Sequence, residues 1–162
     1  MSLCKHSSDG VRVMPGGFKI DAKGFNDSMD ALIKRINEAT KAGTATGALL
    51  IRDNARREFE GNHPKGQPHV GGNRPNVVTG SLRRSIMLIP PEPIMLGPGK
   101  YTISVAPTMI YGRRIELGFT GTDSLGRHFN QPPYAYLQPG VDKALPVIPR
   151  IFRDAWGAAL GI

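Results

Sequence analysis

The sequence predicts an α+β fold: a small antiparallel β-sheet packed against a long N-terminal helix, or helix pair, and a C-terminal helix. Three patterns carry this expectation. Apolar residues between Phe25 and Phe59 recur every three or four positions, as on one face of a helix. Tyr101, Ile103 and Val105 alternate with Thr102 and Ser104, the period of a half-buried strand. Val141, Leu145, Ile148, Phe152, Ala155 and Leu160 return to helical spacing, with Trp156 adding bulk. The chain has 162 residues, 40% of them apolar, enough for one domain around one core. Residues 1–16 read as an arm with little structure, and residues 17–162 as a single domain with long loops at 62–78 and 118–133.

Along the chain, Phe18 and Ile20 alternate with Lys19 and Asp21 and predict a short strand. Two helical stretches follow, 25–41 and 44–60, either separate or fused. Gly43 and Gly47 weaken a helix by up to about 1 kcal/mol each, and so mark either a break or a close-packed face. Gly61 and Asn62 are the expected C-cap. In VVTGSLRRSI, Thr79 or Ser81 suits an N-cap, and Leu82 and Ile86 would share one face of a short helix. Pro90, Pro91 and Pro93 exclude a central strand across MLIPPEPIML. MIYGRRIELG reads as a strand or a short helix bordering a sheet. Pro139 fits a first helical turn, whereas Pro146 and Pro149 divide the C-terminal element into helices at about 139–145 and 148–160.

The composition excludes several function classes. The lone Cys4 forms no disulfide within the chain, fits a reducing compartment and reads as an incidental terminal residue. The four histidines have neither paired helical spacing nor a cysteine partner, so no metal is expected. No cofactor is expected either: VGGNRPN has no Gly-x-Gly-x-x-Gly spacing, and no Gly-Lys-Ser/Thr ends a phosphate loop. Ser81 and Ser85 are not set in a Gly-x-Ser-x-Gly elbow, and no nucleophile, base and acid stand out together. There is no run of about 18 apolar residues for a membrane span, and MSLCKHSSDG contains no signal core. The protein is therefore expected in the cytoplasm where it is made.

The formal charge of +8 is uneven. Residues 62–162 hold eleven Lys/Arg against five Asp/Glu, while residues 1–61 hold ten against eight. Such a surplus either attracts polyanions through phosphate contacts or serves solubility alone.

The order of parts resembles the tail-completion, or head–tail joining, proteins of long-tailed bacteriophages. The residues that carry the resemblance are Thr79-Gly80-Ser81-Leu82-Arg83-Arg84-Ser85-Ile86, Tyr111, Ile115-Glu116-Leu117-Gly118 and Pro133-Tyr134-Ala135-Tyr136-Leu137-Gln138-Pro139-Gly140-Val141-Asp142. The resemblance spans roughly Phe25 to Leu160. The chain departs from the family pattern in the Gly, Pro and His of loop 62–78 and in the two prolines of the last helix. The resemblance implies a structural virion protein of the neck without enzyme activity, assembled in the host bacterial cytoplasm. It implies a homo-oligomeric ring, sixfold like the tail, around the DNA channel. Its partners would be the head connector or stopper, the tail terminator and the tail tube, with genomic DNA passing nearby and no membrane. Some of Lys65, Arg74, Arg83, Arg84, Arg113, Arg114 and Arg127 would then face the lumen or neighbouring subunits. The alternative is a stand-alone basic nucleic-acid-binding module. Against it, aromatics are few and no helix-turn-helix or stacking platform stands out.

Overall fold

The computed structural model describes residues 11–13, 19–59 and 74–162. Its spine is α1, Ala22–Arg57, one helix of 36 residues and therefore about 54 Å long. The two predicted helices are fused. Gly43 and Gly47 do not break α1 because both are buried against the last helix, α5 (Ile148–Leu160). A Cβ on Gly43 would sit 2.9 Å from the Phe152 ring. Close packing of α5 thus offsets the intrinsic helix penalty of glycine. Ile148 lies at Gly47, Phe152 at Gly43, and Trp156 Nε1 donates to Thr40 Oγ1 at 3.0 Å. α5 therefore runs antiparallel to α1, toward its N-terminus. α1 ends at Arg57, and Arg56 and Arg57 in its last turn complement the helix dipole. The C-cap expected at Gly61 and Asn62 lies outside the described residues.

Among the described residues, β structure consists of three separate antiparallel hairpins rather than one sheet. β1 (Val11–Val13) pairs with β2 (Lys19–Asp21), so the expected arm contributes a strand at its end. β3 (Ile86–Gly97) pairs with β4 (Lys100–Pro107). The register shifts between Ile89 and Ile94, where Pro90, Pro91 and Pro93 fall. Both strands of this hairpin are edge strands, the setting in which prolines are tolerated. The hairpin is tied to α1 by Gly99 N–H donating to Asn37 Oδ1 (3.1 Å) and by a Lys41–Glu92 ion pair (3.1 Å).

The loop expected at 118–133 is instead a third hairpin, β5 (Phe119–Thr122) with β6 (His128–Gln131). Asp123 organises its turn. Its Oδ1 accepts the N–H groups of Leu125 and Arg127 at 2.9 and 3.0 Å, and its Oδ2 accepts Arg127 Nε at 2.7 Å.

Two short helices, α2 (Ser81–Ser85) and α3 (Gly112–Leu117), flank β3 and β4. α4 (Leu137–Ala144) precedes α5, so the predicted C-terminal helix pair is present with its break at Pro146. The core gathers at the C-terminal end of α1. Ala55, Phe59, Leu82, Ile86 and Tyr136 form it, with Val77, Val105, Ile115 and Leu137 packed around them. Beside it, the Glu58 carboxylate is only 4% exposed. It is held by Lys143 and, at 3.3 Å, by Arg74, as a buried charge requires.

Candidate functional site

The three longer stretches that carry the family resemblance meet at one junction around this core. In the first, Gly80 takes the N-cap of α2 with φ of 72°, a left-handed conformation that glycine adopts without steric cost. The expected side-chain cap is absent, and Thr79 Oγ1 instead contacts Ser81 Oγ at 2.9 Å. Leu82 and Ile86 are buried as expected, but Ile86 has already left the helix and begins β3. Arg56 Nη2 donates to the Ile86 carbonyl at 2.7 Å, an acceptor just past the end of α2. Thr108 N–H donates to the Ser85 carbonyl at 3.0 Å and ties α2 to the segment leading into α3.

In the second stretch, Glu116 has a role that sequence reasoning missed. Its Oε2 accepts the N–H groups of Tyr136 and Leu137 at 2.8 and 2.9 Å, and its Oε1 accepts that of Gln138 at 3.0 Å. One carboxylate thus satisfies three otherwise orphaned donors at the start of α4 and sits at the positive end of that helix. The signal was a helix start with Tyr136 where Ser, Thr, Asp or Asn would normally cap, which requires a cap from elsewhere. Gly118, at φ 76°, turns the chain away from α3; a Cβ there would lie 2.8 Å from the Gln131 carbonyl oxygen.

The third stretch supplies Tyr136, fully buried with its ring centroid 4.9 Å from that of Phe59. Its hydroxyl donates to the Gly112 carbonyl at 3.2 Å. Burial, with the Glu116 charge adding to it, pushes the phenol far above its usual range. Gly112 has to be small, since a Cβ would fall 2.5 Å from Pro107 Cγ. Tyr134 N–H donates to the Ile115 carbonyl at 2.8 Å and completes the junction.

This junction presents four of the seven expected basic residues. Arg83 and Arg84 on α2 and Arg113 and Arg114 on α3 are exposed. Among the described residues, no carboxylate lies within ion-pair distance of Arg83, Arg84 or Arg113. The Arg114 guanidinium lies over the Phe119 ring at 4.3 Å, a cation–π contact. Arg127 is paired with Asp123 at 2.6 Å, Arg74 with the buried Glu58, and Lys65 lies outside the described residues.

Beside these arginines runs an open groove of about 800 Å³. Pro75 to Arg83 form one wall, Phe129 to Pro132 another, and Phe59, Tyr111, Ile115 and Tyr134 complete the lining. Sequence reading did not find it, because its two walls lie far apart in the chain. Among the described residues, neither serine of VVTGSLRRSI bonds an imidazole or a carboxylate. Ser81 Oγ meets Thr79, and Ser85 Oγ donates to the Leu82 carbonyl at 2.8 Å. Among the described residues, no three His, Cys, Asp or Glu side chains lie together as metal ligands. No described helix is long and apolar enough to cross a membrane.

No family model matches the chain, and neither a curated protein nor a solved structure matches it.

Proposed function

We propose that the chain is a structural component of the neck of a long-tailed bacteriophage. It joins or completes the tail as a sixfold ring around the DNA channel, between the head connector or stopper and the tail terminator and tube. One observation carries the reading: the separate stretches that resemble the tail-completion family pack into one junction, and that junction exposes Arg83, Arg84, Arg113 and Arg114. The work of those stretches is then architectural, with Glu116 and Tyr136 fixing α3 and α4 around the core. The arginines give a diffuse positive surface that meets phosphates without reading bases, which suits DNA in transit.

A second reading has its own support. Tyr111 and Phe129 are about 40% exposed and line the groove together with Arg83. Exposed aromatics beside arginines are a platform on which bases of a single strand stack. A stand-alone nucleic-acid-binding module would use them.

Mass measurement of the purified chain, joined to a salt titration of duplex and single-strand binding, separates the two. The neck reading expects ring formation and weak binding at physiological salt, on the order of 10 µM or weaker, as for non-specific contacts. Tight binding by a monomer, with a steep salt slope, would overturn it in favour of the module.

A further inference from the structure

Two apolar faces remain exposed outside the groove. The first continues the packing stripe of α1. α5 covers that stripe from Gly47 to Thr40 and, at its antiparallel pace, ends near Ile36. Phe25, Met29 and Ile33 lie beyond it and are 67%, 39% and 49% exposed. The second is the outer face of β3, where Met87, Ile89 and Ile94 are 50%, 45% and 51% exposed. The solvent face of a hairpin ordinarily carries polar side chains. The faces belong to different flanks of α1: Gly43 and Gly47 mark the α5 flank, whereas Asn37 and Lys41 hold the hairpin.

Charge decides what fits them. On the N-terminal half of α1, Lys23, Lys34 and Arg35 balance Asp27, Asp30 and Glu38, and the hairpin carries Lys100 together with Glu92, which Lys41 already engages. Both rims carry both signs, so copies of this chain meet there without net repulsion and with opposite charges to pair. A polyanion would gain nothing at these faces, and copies meeting through the arginine-bearing junction would repel one another.

We infer that the α1 stripe of one copy docks on the outer face of β3 in the next copy. This rests on the ring reading above and names the contact that builds the ring. The two faces differ, so the contact is head-to-tail, each copy uses both, and the series closes when its rotation closes. A single self-complementary face would yield a twofold dimer and leave the other face in water. Burial of six large apolar side chains drives the association, and no charge has to be desolvated at its centre.

Complementation tests this with the full chain. Met29→Asp spoils only the helical face and Ile94→Asp only the strand face, both at exposed positions. Wild type is expected to assemble, and each variant alone to stay at the 17.5 kDa chain mass. Mixed in equal amounts, the two variants are expected to form a capped pair of twice that mass, through their one remaining pair of intact faces. If wild type assembles and both variants still assemble, the contact is wrong while the ring reading stands. Wild-type assembly with a monomeric mixture overturns the head-to-tail contact in the same way. A wild-type chain that stays monomeric at every concentration overturns both the contact and self-assembly of the ring.

Discussion

The two halves of α1 carry the same apolar period and meet different surroundings. From Thr40 to Ala55 the stripe is buried, under α5 at Gly43 and Gly47 and at α4 near Asn54, whose Nδ2 donates to the Gly140 carbonyl at 3.4 Å. From Phe25 to Ile33 the same stripe is exposed, at 67% for Phe25, 39% for Met29 and 49% for Ile33. Helical amphipathicity therefore specifies a face and leaves its partner open. The buried half is completed by this chain, at the end where the core and the exposed arginines also lie. The exposed half is stable as a helix only through continuity with the other, since isolated short helices are marginal.

Substitutions break this contrast most strongly at the packed end. Tyr136→Ala removes the largest fully buried side chain among the described residues and is expected to cost about 4 kcal/mol in urea denaturation of the isolated chain. Glu116→Ala strips the cap from three backbone donors and is expected to cost about 2 kcal/mol. Glu116→Gln, which keeps one acceptor oxygen, should fall between that variant and wild type.

Titration sharpens the contrast further. The Tyr136 phenol is raised in the folded state, so its contribution is intact below the unfolded value near 10 and is lost as pH rises above it. Stability measured from pH 8 to 11 should fall more steeply for wild type than for Tyr136→Phe. Asp123 has the opposite sign. Hydrogen bonds from Arg127 hold its carboxyl below the usual 3.8, so its stabilisation is present above that value and is lost as pH falls through the lowered one. Amide exchange at Leu125 and Arg127 should accelerate below about pH 4 in wild type, and Asp123→Asn should lose this dependence. At the free end, Phe25→Ala should change monomer stability by less than about 0.5 kcal/mol, although the residue is as apolar as any in the core.

Patterns of short range were legible in the sequence. The helical and strand periods, the break at Pro146 and the burial of Leu82 and Ile86 all follow from residues close together in the chain. What escaped depends on distant partners or on one polar side chain. Gly43 and Gly47 suggested a break or a close contact, and only Phe152 and Ile148, about a hundred residues on, decide for the contact. The β5–β6 hairpin looked like loop because its strands are four residues each and its turn hangs on Asp123. Glu116 was hidden for the same reason, as its three partners lie twenty or more residues away. Of the seven basic residues, all alike in the sequence, Arg74 and Arg127 prove to be engaged with Glu58 and Asp123, and the fold alone distinguishes them from Arg83, Arg84 and Arg113.

Hydrogen exchange along α1, followed residue by residue in monomer and in assembly, bears most directly on the division of this helix. Amides from Ala42 to Arg57 should be protected in both states, while those from Asn26 to Ile36 should exchange quickly in the monomer and become at least tenfold slower on assembly. Equal protection of the N-terminal half in both states would mean that no neighbour completes it, and the helix would then have one role along its whole length.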